Sequence, residues 1–343
     1  MRISTYNCLS SHYIPKNRGE VSKDGCMAYG CPYDTHICEL QEKKQTQYER
    51  IEPVLQRIIQ SDVFFLQELE QQTFLEIQEA CQEVWDAVYE PRYHISPLKS
   101  PLGDSKDGCA VFIKTTELSN ARDTELQTLI RQEMYINNRG KPILVRVHNN
   151  GCYLSFHANK TYGSFLSELL NILLPYEFDF IILGGDLNRK LETLPKISGY
   201  IGERASTNNV PTMTGEGESH WKQLDQIIVY SKLVYSKPEI SEVQVDDVVF
   251  KKNKRILVKI NKRAPNYCGT AFFKMWITDK KPASDHRLLS CTVNLKIEHD
   301  NGLGTMMKNQ QELEQNTGED SCTSLKLNIK TKSEKKNFQF FKH

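Results

Sequence analysis

The chain has 343 residues, with 44 Lys and Arg against 43 Asp and Glu and a formal net charge of +1. That balance excludes a uniformly basic nucleic-acid coat and an acidic tail protein. Hydrophobic residues are 39% of the chain, low for a compact domain, so part of the sequence is expected to lie outside a core.

In chain order, Met1–Asn7 lacks the apolar stretch of a secretory signal, and residues 2–9 are predicted to form a strand. Residues 10–44 are a polar insertion rich in Gly, Lys and Cys. Within it, Cys26, Cys31, His36 and Cys38 lack a Cys-x-x-Cys knuckle and are read as a loop with free thiols. Cys8, Cys109, Cys152 and Cys291 sit in apolar runs, as buried thiols do, which points to a reducing compartment. No apolar run reaches the ~18 residues of a membrane span, and a cytoplasmic location is expected. Ile51, Leu55, Ile58 and Ile59 have helical spacing, as do Phe74, Ile77, Cys81 and Val84. Between them, Val63–Leu66 reads as a strand buried on both faces. Further strands are predicted at 109–114, 142–148, 152–157, 178–183, 226–230, 255–260 and 288–295, and a helix over 163–174, stopped by Pro175. The core is assigned to residues 1–299. Residues 300–343 read as a disordered polar and basic tail.

Two segments echo each other. Asp62–Glu68 and Asp179–Asp186 are both apolar strands with a carboxylate at the C-terminal end. Two sheets delivering carboxylates to one edge would suit a sandwich with outer helices. Polar groups recur at other strand ends: Asn7, Asp107, His157, Asn188, Asp225, Asp285 and His286. Asn, Glu and Asp are hard oxygen ligands, which favours Mg²⁺ or Mn²⁺ over zinc. Such an ion, an Asp to activate water and histidines facing an oxyanion suit hydrolysis of a phosphate ester. Asp225 could hold His286 protonated by a charge-assisted hydrogen bond.

The ordered set Thr5-Tyr6-Asn7, Leu66-Gln67-Glu68, Asp107-Gly108-Cys109-Ala110, His157, Gly184-Gly185-Asp186-Leu187-Asn188, Leu224-Asp225-Gln226-Ile227-Ile228 and Ser284-Asp285-His286 resembles the endonuclease/exonuclease/phosphatase superfamily. The resemblance implies a four-layered α/β sandwich, deoxyribonuclease-like, and a Mg²⁺-dependent phosphoesterase. It implies that Asn7, Glu68 and Asp285 form the metal end of the site and that Asp186 orients or deprotonates the attacking water. Asn188 would contact phosphate, His157 and His286 would stabilise the phosphoryl oxygens, and Asp225 would support His286.

The superfamily cuts nucleic acids, phosphoinositides and sphingomyelin, so the fold leaves the substrate open. Leu66–Glu70 and Lys106–Lys114 are similar to the deadenylase and nocturnin-like branch, which implies an RNA 3′-exonuclease. Departures are the Ala158-Asn159-Lys160 continuation after His157 and a long interval between Asp225 and Asp285. Inside that interval Lys251, Lys252, Lys254, Arg255, Lys259, Lys262 and Arg263 occur with no acid among them. They are read either as a phosphate-backbone contact, with Lys251, Lys252, Lys254 and Arg255 as substrate-binding candidates, or as a solvated hairpin. Anionic lipid would also suit the cluster. Alternatives of the same fold are a phosphoinositide or phospholipid phosphoesterase and a DNA-repair-type endonuclease; a different class is a catalytically dead binding module.

Overall fold

Alternating inward and outward burial organises the protein into layers. The computed structural model describes residues 1–10, 46–81, 85–93, 107–115, 122–208, 210–212, 223–245, 250–259, 270–278, 284 and 286–295. Residues 11–44 of the polar insertion with its cysteine cluster, Asp285, Lys262, Arg263 and the tail over 300–343 lie outside these. The chain divides into Met1–Ile297 and Glu298–His343, and the described residues all belong to the first.

The elements are β1 (Arg2–Asn7), α1 (Gln47–Ile58), β2 (Val63–Leu69), α2 (Gln71–Cys81), β3 (Trp85–Pro91), β4 (Gly108–Lys114), α3 (Arg122–Met134), β5 (Ile143–His148) and β6 (Gly151–His157). After these come α4 (Phe165–Leu173), β7 (Phe180–Asp186), β8 (Tyr200–Arg204), β9 (Asp225–Lys232), β10 (Glu239–Val245), β11 (Phe250–Lys259), β12 (Thr270–Thr278) and β13 (Leu289–Asn294). A six-stranded sheet has the order β10-β13-β1-β2-β4-β3, and a five-stranded sheet the order β5-β6-β7-β9-β8. Both are mixed: β1 runs parallel to β2 and β6 parallel to β7, while their other neighbours are antiparallel.

Three apolar layers explain why the strands read as continuous hydrophobic runs. Ile3, Val63, Phe65 and Val111 of the first sheet pack between the sheets against Leu144, Tyr153, Ile182 and Val229 of the second. The intervening residues Phe64, Leu66 and Phe112 face outward, onto Ile51, Leu55 and Ile58 of α1 and Phe74 and Ile77 of α2. On the opposite side Val145, Leu154, Ile181 and Leu183 meet Leu126 and Ile130 of α3 and Phe165 and Leu169 of α4. Helix, sheet, sheet, helix is the four-layered α/β sandwich expected from the sequence.

Boundaries moved where side chains or turns intervene. β1 stops at Asn7, because the Asn7 side chain accepts the Leu9 N–H at 3.0 Å and Leu9 has φ +51°. The second helix is described over Gln71–Cys81, and Val84 lies outside the described residues. α4 starts only at Phe165, and Leu174–Tyr176, with Pro175, form a 3₁₀ turn after it. Five elements have no counterpart in the sequence reading: β3, α3, β8, β10 and β12. Three of them, β3, β8 and β10, are half-exposed edge strands without clean alternation. Helix α3 carries its apolar stripe on only Leu126, Ile130 and Met134. It docks by polar bonds instead: Gln127 pairs with both Ile143 O and Val145 N–H, and Asp123 accepts from Val147 N–H and Arg146. Cys8, Cys81, Cys109, Cys152 and Cys291 are buried free thiols.

The Gly184-Gly185 pair is a packing requirement. A Cβ on Gly184 would lie 2.1 Å from the Phe65 ring of the facing sheet, and one on Gly185 2.0 Å from the Phe156 carbonyl oxygen. Gly184→Ala is expected to lose about 1–3 kcal/mol of stability in urea unfolding, and Phe65→Leu in the same chain should restore part of it. Strict additivity of the two losses would place the clash elsewhere.

Candidate functional site

All the functional side chains come from one rim of the sandwich, and strand direction is the reason. β1, β2, β6 and β7 end there. Their antiparallel partners β4, β5, β9 and β13 begin there. Asn7 ends β1 and pairs with Gln67 in register, and His157 at the end of β6 pairs with Asp186 at the end of β7. Asp186 in turn faces Asp225, the first residue of β9. His286 lies just before β13.

Glu68 and Asp186, carboxylates of different sheets, meet across one amide. The Asn7 Nδ2 donates to Glu68 Oε1 at 3.1 Å and to Asp186 Oδ2 at 3.2 Å. The amide therefore turns its nitrogen to the carboxylates, while its oxygen is engaged by Leu9 N–H. Asn188 N–H donates to Asp186 Oδ1 at 2.6 Å, and Asn188 Nδ2 donates to Ala158 O at 3.0 Å and to Asp186 Oδ2 at 3.2 Å. Asn188 reaches these acceptors with φ +54°, a left-handed conformation that Asn tolerates better than most residues. Asp186 is 1% exposed, and burial pushes its carboxyl above the ordinary range; His286 pulls the other way and Asp225 adds to the rise.

Two histidines flank Asp186 Oδ2, each with Nε2 at 3.8 Å. They differ in their support. His286 Nδ1 donates to Asp225 Oδ2 at 2.9 Å, and Thr212 Oγ1 holds the start of β9 by accepting the Leu224 and Asp225 N–H groups at 3.0 Å. His157 Nε2 lies 3.6 Å from Glu68 Oε1 and accepts from the Lys141 ammonium at 2.5 Å. Its Nδ1 is buried and has no partner among the described residues. Burial first, then the charges of Lys141, Arg92 and His286, hold the His157 imidazole well below its ordinary value. The single Nε2 lone pair is engaged by Lys141, so this nitrogen serves a cation only when the Lys141 contact gives way.

One oxygen or nitrogen from each of Glu68, His157 and Asp186 lies within 4.8 Å of the others. Two carboxylates and one neutral imidazole fit a divalent cation, and the nitrogen donor suits Mn²⁺ at least as well as Mg²⁺. Asn7, Glu68, His157, Asp186, Asn188, Asp225 and His286 are thus brought together. Asp285 lies outside the described residues, and Lys251, Lys252, Lys254 and Arg255 lie on β11, in a two-stranded ribbon separate from both sheets.

Three residues of the site were missed by the sequence reading. Lys141 precedes β5 and also donates to Ala158 O at 3.3 Å. Arg92 follows β3 and pairs with buried Asp107 at 3.5 Å. Gln47, fully buried at the start of α1, donates to Leu9 O and Glu68 O and accepts from Glu70 N–H. It ties the loop after β1 to the bulged end of β2, where Glu68 has φ +51°. The sole sequence signal for Lys141 and Arg92 is that antiparallel strands place their flanking residues on the same rim.

Gln47→Leu leaves three backbone groups without this partner and is expected to cost at least about 2 kcal/mol in chemical unfolding; an unchanged midpoint would remove the clamp. His157 supplies a pH signature. Below its ordinary value of 6.5 the unfolded chain takes a proton that the folded chain refuses, so this residue's share of stability is intact above that pH and is lost as pH falls. Asp186 works in the opposite sense, its raised folded value favouring proton uptake by the native state. In EDTA, His157→Gln should therefore gain on the wild type between pH 7 and 5, and a constant difference over that range would contradict the assignment.

No protein-family model matches the chain, and no curated protein sequence matches it. Solved structures do resemble it at low identity. An endonuclease/exonuclease/phosphatase from Bacteroides vulgatus is 11% identical, covering 86% of this chain and 98% of that one, with a TM-score of 0.47. The human Nocturnin catalytic domain with bound sulfate anion is 15% identical over 86% and 93%, TM-score 0.42. D. rerio TDP2 complexed with single strand DNA product is 11% identical over 86% and 98%, TM-score 0.42.

Proposed function

We propose that this chain is a divalent-metal-dependent phosphodiesterase acting on nucleic acid, with RNA 3′ ends as its favoured substrate. The observation that carries the reading is the setting of Asp186, which clusters with Glu68 and His157 on one side and faces the His286–Asp225 pair on the other. Glu68 and His157, with Asp186, are the residues that would hold Mg²⁺ or Mn²⁺, and the ion would supply Lewis-acid stabilisation of a phosphoryl oxygen.

The protein's own groups divide the remaining work. Asp186 takes a proton from water as the water oxygen bonds to phosphorus and the bond to the leaving oxygen breaks. Asn188 and Asn7 hold that carboxylate in place. Asp225 fixes the His286 ring by its Nδ1, leaving Nε2 to meet charge building on the phosphoryl oxygens. Lys141 adds a cation beside His157. Support for RNA comes from the similarity of Leu66–Glu70 and Lys106–Lys114 to deadenylase-like sequences.

The purified chain with Mn²⁺ or Mg²⁺ is to be incubated with 3′-labelled poly(A) RNA, single-stranded, duplex and abasic DNA, and phosphoinositides. RNA shortening that stops in EDTA is expected. Asp186→Asn and His286→Gln should each slow it by about 10²–10⁴-fold. Phosphate release from lipid with intact RNA would sink the substrate assignment. Folded, metal-loaded protein inert on the whole panel would instead make it a binding module.

A further inference from the structure

The ribbon of β11 and β12 has two chemically different faces, and its register assigns residues to them. Lys252 pairs with Trp276 and Lys251 with Ile277; after a bulge, Arg255 pairs with Lys274, Ile256 with Phe273, Leu257 with Phe272 and Val258 with Ala271. Directly paired residues share a face, and faces alternate along a strand. One face therefore takes Lys251, Ile256, Val258, Ala271, Phe273, Met275 and Ile277. The other takes Phe250, Lys252, Arg255, Leu257, Lys259 and Lys274 together with Phe272 and Trp276, and so holds four of the five cations in the printed pairs.

The bulge produces this separation. Between Lys252 and Arg255 the first strand advances three residues while the second advances two. Without that extra residue Ile256 and Val258 would join the cationic face, since a one-residue slip exchanges the faces. The chemistry is also one-signed: residues 250–278 contain eight Lys and Arg and no Asp or Glu, in a chain whose net charge is +1.

The ribbon's place in the chain links it to the rim. β10 ends at Val245, which pairs with Leu289 at the start of β13, and the Arg287 side chain donates to Val245 O at 3.4 Å. The excursion that forms the ribbon therefore leaves and re-enters the first sheet at the rim that carries His286.

We propose that the cationic and aromatic face of the β11–β12 ribbon, Lys252, Arg255, Lys259 and Lys274 with Phe272 and Trp276, is a docking surface for single-stranded nucleic acid. The inference rests on the phosphodiesterase reading only in assigning what is delivered to the rim. Cations regularly placed along a strand match a phosphate backbone, and aromatic residues between them give bases a π-face to stack on. An anionic lipid surface would take the same cations and aromatics, and the ribbon's link to the rim that carries His286 is what favours nucleic acid. Binding of this kind is weakened by salt in proportion to the phosphates neutralised.

The test uses the full chain in EDTA, so that binding is read without cleavage. Fluorescence anisotropy of a labelled 20-nucleotide RNA is followed across salt concentrations. Arg255→Ala and Lys274→Ala should each reduce the salt slope by about one. Trp276→Ala should weaken binding by about 5–150-fold, the equivalent of one stacked base, and Trp276→Phe should recover most of it. Lys237→Ala, the same charge loss outside the ribbon, should leave the slope unchanged, and thermal melts check that each variant folds. RNA binding unaltered in the three alanine variants, or lost equally in Lys237→Ala, overturns the proposal. So does ribbon-dependent binding of phosphatidylserine vesicles without RNA binding. The catalytic reading is scored apart, on wild-type hydrolysis of bis(p-nitrophenyl) phosphate with Mn²⁺: no turnover there beside ribbon-dependent RNA binding would sink the catalytic reading and leave the docking surface standing.

Discussion

Two carboxylates held one amide apart inside the molecule are the constraint on which the rest of the site depends. Glu68 and Asp186 come from different sheets, and Asn7 bridges them. Bringing like charges together away from water is costly unless donors and cations surround them. The rim supplies these in layers: amide and backbone N–H groups first, then His157 and His286, then Lys141. Each group lies at a strand terminus, where the pleat no longer dictates direction and a side chain can turn inward.

The packing beneath the site serves the same end. Gly184 lets the second sheet approach Phe65 of the first closely, and Gly185 lies against the Phe156 carbonyl of the neighbouring strand β6 in its own sheet. Below the carboxylates, fully buried Gln67 donates to Ser155 Oγ at 3.1 Å, and that hydroxyl donates to Leu66 O at 3.1 Å. This polar stitch joins the two sheets directly under the rim, so the separation of the two acids is set by rigid strands and not by loops.

Much of this was legible in order along the chain. Asp62–Glu68 and Asp179–Asp186 read as twin strands ending in acids; they occupy different sheets and their ends converge, as the echo suggested. Pairing of Asp225 with His286 could also be named before any geometry. The division of labour could not. His157, expected only to face phosphate, sits with Glu68 and Asp186, and Asn7 turns its nitrogen, not its oxygen, to them. Edge strands β3, β8 and β10 escaped because half-exposed positions relax the alternation that marks a buried strand, and α3 escaped because polar bonds, not a wide apolar stripe, hold it down.

By itself the sequence determined the layers and pointed to Asn7, Glu68, His157, Asp186, Asn188, Asp225 and His286 on the rim, because apolar runs and the polar groups that end them are local patterns. Apart from the Asp225–His286 pair, tertiary structure decided which of those residues touch. Asn7 reaches Asp186 across 179 positions, and Lys141 reaches His157 only because β5 and β6 are antiparallel neighbours. Gln47 enters because α1 begins against the ends of β1 and β2. Contacts of this kind follow from strand order and direction, which no local pattern encodes.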